Sequence, residues 1–136
     1  MHRRIFSATS GRLLGRWGGL PVVMLTTTGR RTGLPRTTML TSPVQEGDRI
    51  VVVASNGGAA RDPAWFLNLR DRPEVDVVMR GVRGRMSARM ATGEERARLW
   101  PRITSRSPSY ARYQERTSRE IPLVVLEPPG AGRSVA

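Results

Sequence analysis

Two runs of β-branched and apolar residues, 22-VVMLTT-27 and 35-PRTTMLTSPV-44, face each other across a short segment that holds Gly29 and Gly33. Residues 28–34 are too few for the crossover of a dozen or more residues that a parallel strand pair needs. The two runs are therefore expected to form an antiparallel hairpin. The same logic repeats downstream. Gly47-Asp48 makes a turn before 49-RIVVVAS-55, the most strongly apolar strand, which Asn56-Gly57-Gly58 ends. Strands are also expected near 74-EVDVVMR-80 and 83-RGRMSARMA-91, with Gly81 in or beside the turn, and at 121-IPLVVLE-127. Helices are expected at 63-PAWFLNLR-70, with Asp62 as N-cap and Trp65, Phe66 and Leu69 turned inward, and at 93-GEERARLWPR-102, capped by Thr92, with Leu99 and Trp100 on the core face. A short helix opened by Ser107-Pro108 carries Tyr110, Tyr113 and Gln114.

The resulting order, β-β-β-α-β-β-α-α-β, does not alternate strands with helices. The order therefore favours a mainly β fold with peripheral α, an antiparallel barrel or curved sheet, over a doubly wound parallel sheet. With 136 residues the chain suffices for one core. Residues 21–128 hold it. Residues 129–136, opened by Pro129 and Gly130, are expected to be a disordered tail. Residues 1–20 carry Arg3, Arg4, Arg12 and Arg16 and no acid, with Phe6, Leu13, Trp17 and Leu20 near one helical face. That segment reads either as a basic amphipathic element able to touch an anionic membrane or as a helix packed on the domain's own core. No apolar run reaches the length of a membrane-spanning helix, and Arg3-Arg4 lacks the apolar region of an export signal, so a cytoplasmic protein is expected.

Charge narrows the chemistry. There are 23 basic residues, all arginine, against 11 acidic ones, for a net charge of +12. Either a GC-rich coding sequence or an anionic partner explains the excess. Cysteine is absent and His2 is the only histidine. A Ser-His-Asp or Cys-His triad cannot be built, and no metal site is expected. If the chain is an enzyme, the reactive group comes from a cofactor.

The stretch 26-TTTGRRTGLPRTTML-40 is the one place where arginines, hydroxyls and glycines concentrate. It is neither a Walker loop nor a dinucleotide fingerprint, since Gly29 and Gly33 have the wrong spacing and no lysine follows. A tip of this kind offers backbone N–H groups, threonine hydroxyls and the forked cations Arg30, Arg31 and Arg36, which suit phosphate and carboxylate oxygens. The alternative is a solvated, arginine-rich hairpin tip.

Five motifs then occur in one order: T-T-T-G-R-R-T-G-L-P-R-T-T, V-V-A-S-N-G-G-A, D-P-A-W-F-L-N-L, P-S-Y-x-x-Y-Q and I-P-L-V-V-L-E-P. Together, over about Pro21 to Pro128, they resemble the deazaflavin (coenzyme F420)-dependent nitroreductase family of actinobacteria, in its F420H2-dependent quinone-reductase-like branch. The resemblance implies a split β-barrel of the flavin-reductase, FMN-binding type, with about six strands and three or four helices. It implies coenzyme F420, a deazaflavin with a phosphate-containing linker and a glutamate tail. Arg30, Arg31, Thr32 and Arg36 would grip the phosphate and tail, and Thr37, Thr38, Met39, Leu40 and Thr41 would continue along the cofactor. Val53, Ala54, Ser55 and Asn56 would approach the ring and linker, and Ala64, Trp65, Phe66, Leu67 and Asn68 would close the other side. Tyr110 would cover the ring, with Tyr113 one turn on.

The implied activity is hydride transfer from C5 of reduced F420 to an electron-poor acceptor, a quinone such as menaquinone or a nitroaromatic or nitroimidazole compound. Solvent, Tyr110 or Ser55 would supply the proton. Two positions depart from the family pattern: Arg31 stands where lysine is usual, and Met39 where proline is usual. Reach and geometry at the tip change with the first, and the second offers an adaptable apolar surface. A monomer or homodimer is compatible with all of this. Rival readings are a non-catalytic carrier of F420 or a fatty acid on the same fold, and a nucleic-acid-binding protein. Against the latter, the arginines are spread along the chain and no recognised nucleic-acid motif appears, so no nucleic-acid partner is expected.

Overall fold

The computed structural model describes residues 16–17 and 19–130. Its strands are β1 (Arg16–Trp17), β2 (Leu20–Thr28), β3 (Pro35–Thr41), β4 (Val44–Glu46), β5 (Arg49–Val53), β6 (Glu74–Met79), β7 (Val82–Ala91) and β8 (Leu123–Glu127). Three helices, α1 (Ala64–Asp71), α2 (Gly93–Arg106) and α3 (Ser109–Glu115), join them, and a 3-10 turn spans Asn56–Gly58.

Every strand pair is antiparallel. The lateral order β2-β6-β7-β8-β5-β4 is extended by β3 on the free side of β2. The sheet thus begins at β3 and ends at β4, yet these two strands are separated in sequence only by Ser42 and Pro43. Two residues cannot cross the width of a flat sheet of this size. The sheet must curl until its edges approach, which is the split β-barrel.

Sequence reading treated 35–44 as one strand, and here the structure corrects it. Pro43 has no N–H to donate to a ladder. Ser42, fully buried, donates its hydroxyl to the carbonyls of Val44 (3.0 Å) and Val51 (2.7 Å), which holds the bend. The count of about six strands rises to eight through β4 and the two-residue β1. Trp17 and Leu20 also leave the helical face proposed for them. They pair across a reversal in which Gly19 adopts φ +80°, a conformation that side chains resist. Residues 1–15 and 131–136, with most of the basic N-terminal segment and of the expected tail, lie outside the described residues.

Alternation along β5 and β8 explains why their apolar runs are unbroken. Val52, Val124 and Leu126 point into the barrel with Val23, Leu25, Val75 and Val77, beneath Phe66 and Leu69 of α1. Val51, Val53, Leu123 and Val125 point outward, beneath Leu99 and Ile103 of α2 and Tyr110 of α3. Both faces are covered, so both parities are apolar. Helix α2 runs four residues past its expected end because Ile103, one turn after Leu99, is also fully buried and contributes about 1.5–3 kcal/mol. Trp100 is only half-buried, with Arg96 over its ring at 5.3 Å. The β6–β7 hairpin forms as expected: Arg80 and Gly81, at φ 55° and 78°, make the two-residue turn. Asp62, in contrast, does not cap α1. Pro63 holds that position, and the Asp62 carboxylate accepts from Arg119 at 2.8 Å.

Candidate functional site

Directly opposed residues of an antiparallel pair share a face. In the β2–β3 pair, Val23 faces Leu40, Leu25 faces Thr38 and Thr27 faces Arg36. Val23 and Leu25 belong to the barrel core, so Thr38, Thr27 and Arg36 continue the inner face where it turns polar. Helix α1 brings Ala64, Trp65 and Asn68 against this mouth. The result is a cleft of about 520 Å³, walled by Thr27, Gly29, Arg30, Arg31, Thr32, Arg36, Thr37, Thr38 and the three α1 residues. That volume is within the usual range for a small-molecule site.

Asn68 frames the cleft. It is 5% exposed, its Nδ2 donates to Thr27 Oγ1 at 3.1 Å, and its Oδ1 accepts the Arg30 N–H at 3.1 Å. The hairpin tip is thereby fastened to α1. Within the tip, the Gly33 N–H donates to the Gly29 carbonyl (2.8 Å), and the Gly29 N–H donates to the Leu34 carbonyl (2.8 Å). Gly33 needs its positive φ of 75°, whereas Gly29 is required by space: a Cβ there would lie 2.8 Å from Thr32 Oγ1 and 3.2 Å from the Leu34 carbonyl oxygen. Across the pair, the Thr26 and Thr37 hydroxyls bond to each other at 2.7 Å. The N–H groups of Arg31 and Thr32 have no acceptor among the described residues.

The charge here is one-sided. No acid lines the cleft, and Arg30, Arg31 and Arg36 form no ion pair among the described residues. Several arginines elsewhere are matched, Arg89 with Glu95 and Glu127, Arg98 and Arg102 with Glu46, Arg119 with Asp62. Others, such as Arg61 and Arg83, also form no ion pair among the described residues but do not share one cleft wall. Unpaired guanidinium groups, free N–H groups and hydroxyls on one concave surface are the donor types that suit phosphate and carboxylate oxygens.

The other named residues lie elsewhere on the same framework. At the far end of β3, Thr41 Oγ1 is 3.4 Å from the Tyr110 hydroxyl. Tyr110 is 9% exposed, and burial pushes its phenol above the usual tyrosine value, against the opposing bond from Thr41 and with a small addition from Tyr113. Tyr113 meets it edge-on, at 6.1 Å between ring centres. Ser55 is buried beside the 3-10 turn, and Asn56 (φ 47°) is exposed with its amide donating to the Arg61 carbonyl. Val53, Ala54 and Phe66 are core residues; Leu40 and Leu67 pack against the inner core, and Met39 is 44% exposed. None of these lines the cleft. Sequence reading missed Thr27 as a cleft wall; the hairpin register, which sets Thr27 opposite Arg36, is the signal that reveals it. Among the described residues no group of His, Asp or Glu is placed to hold a metal ion.

A curled antiparallel barrel with an acid-free cationic cleft at its mouth places the chain in the split β-barrel class. Comparison with known families makes this specific. Residues 1–128 match the F420H(2)-dependent quinone reductase family, and the chain belongs to that family. It is 39% identical over 130 residues to an F420H(2)-dependent quinone reductase of Mycobacterium tuberculosis, covering 93% of this chain and 87% of that one. It also resembles the solved structure of an F420-H2 dependent reductase (TM-score 0.71, 35% identity, 79% of this chain and 94% of that one). A second solved relative, described as a domain-swapped dimer, matches with TM-score 0.71 and 31% identity over 93% of this chain and all of its own. The protein is an F420H2-dependent oxidoreductase, and its cofactor is reduced coenzyme F420. No helix among the described residues is long and apolar enough to cross a membrane.

Proposed function

We propose that the protein reduces a quinone, such as menaquinone, and electron-poor nitro compounds by the same route, with the cationic cleft as the anchor for the coenzyme's phosphate and glutamate tail. The donor set of the cleft fits that group: it offers cations, hydroxyls and free N–H groups and no carboxylate. When bound, reduced F420 supplies a hydride, and a quinone that takes this hydride and one proton becomes a quinol. The protein's own residues do the rest. Arg30, Arg31 and Arg36 bind the tail, Asn68 keeps the tip in place, and Trp65 offers a flat apolar wall. From Arg36 to Thr41, β3 spans about 16 Å at the usual rise per residue. A long ligand held at the arginines would therefore reach the Tyr110 end. There the buried phenol, kept protonated well above neutral pH, holds a proton beside Thr41, and Ser55 is a second candidate donor.

The single observation behind this reading is the set of three acid-free arginines on a concave wall fastened by Asn68. A fluorescence titration with oxidised F420 at low and high salt tests it. Wild type should bind tightly and salt-sensitively, and Arg31→Ala and Arg36→Ala should each weaken binding about tenfold, the value of a charge-assisted bond. Absence of binding at every salt concentration would refute the assignment. Oxidation of F420H2 by a soluble quinone separates an enzyme from a carrier. The basic residues 1–20 are proposed to hold the protein peripherally at an anionic membrane, where such quinones reside. The active unit is a monomer or a homodimer, and the domain-swapped relative supports the second.

A further inference from the structure

One arginine outside the cleft makes more bonds to the site's surroundings than any residue in it. Arg119 follows α3 in a loop, and its side chain is only 16% exposed. Its Nε donates to the Ala59 carbonyl (2.9 Å), Nη2 to the Ser55 carbonyl (2.8 Å), and Nη1 to the Ala54 carbonyl (3.3 Å) and to Asp62 Oδ1 (2.8 Å). One guanidinium thus spans the loop between β5 and α1 at four points. The same loop is tied to α3 at two more places. Arg116 Nη1 donates to the Gly57 carbonyl at 3.4 Å. Gly58 packs so closely on α3 that a Cβ would lie 2.7 Å from the Tyr113 carbonyl oxygen. Gln114 closes the unit from the other side, donating to the Arg119 carbonyl (2.7 Å) and accepting the Ile121 N–H (2.9 Å).

These contacts join pieces that come from distant parts of the chain. Ser55 ends β5. Asp62 stands two residues before Ala64 and three before Trp65, which wall the cleft. Tyr110, one turn before Tyr113, reaches Thr41 of β3. We infer that Arg119 is a positioning residue for the reaction, a clamp that sets Ser55, the start of α1 and the Tyr110 face of α3 in one mutual geometry. The inference rests on reading Ser55 and Tyr110 as the ring end of the site. A fork is required, because four acceptors lie in different directions around a planar group; a lysine is a single point donor and cannot reach them together. The arginine contacts no cleft-lining side chain, so its effect should fall on alignment and leave tail binding largely intact.

The test compares Arg119→Lys, Arg119→Ala and Asp62→Asn with wild type in F420H2 oxidation by menadione, F420 titration and thermal melting. Arg98→Ala is the control, since its partner is Glu46 of β4 and it bonds neither to the cleft nor to the loop between β5 and α1. Misalignment of about 1 Å can cost on the order of a hundredfold in rate. Arg119→Lys, still folded at the assay temperature, should therefore lose about 10- to 100-fold in kcat while its Kd for F420 changes less than about threefold. Asp62→Asn should fall between. If Arg119→Ala does not fold, the lysine and Asp62→Asn variants carry the comparison. Retention of wild-type kcat by Arg119→Lys would overturn the inference, as would loss of kcat and F420 binding in the same proportion as the melting temperature. If Ser55→Ala and Tyr110→Phe lower kcat and Arg119→Lys does not, the clamp alone is refuted. If wild type fails to oxidise F420H2, the underlying reading fails first.

Discussion

Asn68 allows stability and binding to be separated at one position. In Asn68→Ala, the bonds to Thr27 Oγ1 and to the Arg30 N–H are both lost. At about 1 kcal/mol net for each, the fold loses about 2 kcal/mol, a fall in Tm of roughly 6–10 °C for a chain of this length. Asn68→Asp behaves differently. A carboxylate still accepts the Arg30 N–H, and the Thr27 hydroxyl can rotate to donate to it, so stability changes by less than about 1 kcal/mol. The new charge, however, sits in a cleft that otherwise holds only cations. At about 8 Å and an effective dielectric of about 40, each anionic group of the ligand is repelled by about 1 kcal/mol. With two such groups near it, F420 should bind about 30-fold more weakly, and high salt should recover much of the loss. The assay is F420 fluorescence titration at two salt concentrations beside differential scanning calorimetry. The order must cross: Ala worse in stability, Asp worse in affinity. If Asn68→Asp binds F420 like wild type, the cationic field of the cleft is not what holds the coenzyme.

Other consequences are separate. Gly58→Ala should cost about 2–5 kcal/mol, from the left-handed backbone at φ 83° and the clash with Tyr113, measurable as a shift in denaturation midpoint; an unchanged midpoint would mean that α3 moves freely. Glu95 and Glu46 are held below the usual 4.5 because Arg89 and Arg98 donate to them. Their stabilisation is present above that value and lost as pH falls below it, so acid titration of Tm should steepen there and flatten in Glu95→Gln. The raised Tyr110 phenol acts at the other extreme: its contribution is intact below pH 10 and lost as pH rises beyond it, which Tyr110→Phe should remove. Deleting residues 1–15 should lower quinone turnover in liposomes and spare a soluble acceptor; equal loss on both would exclude a membrane role for that segment.

Much of the architecture was visible along the chain because it is local. The period of two, the turn at Arg80-Gly81 and the glycines of the 29–33 tip follow from backbone sterics within a few residues. The break at Ser42-Pro43 was missed because nothing nearby shows that the two halves of that run belong to opposite edges of one sheet. Asp62 looked like a helix cap, since the pattern Asp-Pro before an apolar run is the usual signature, and only the arrival of Arg119 diverts its carboxylate.

The density of arginine in 30–36 is a property of the sequence, as are the absence of thiols and the near-absence of imidazole that hand the chemistry to a coenzyme. Which arginines remain free to bind it is not. Arg30 is fixed by Asn68 from 38 residues away, and Arg119 meets Asp62 from 57 residues away. Guanidinium groups look alike in one dimension; whether a carboxylate neutralises them depends on strand pairing and helix docking, and those long-range contacts leave one cleft without an acid.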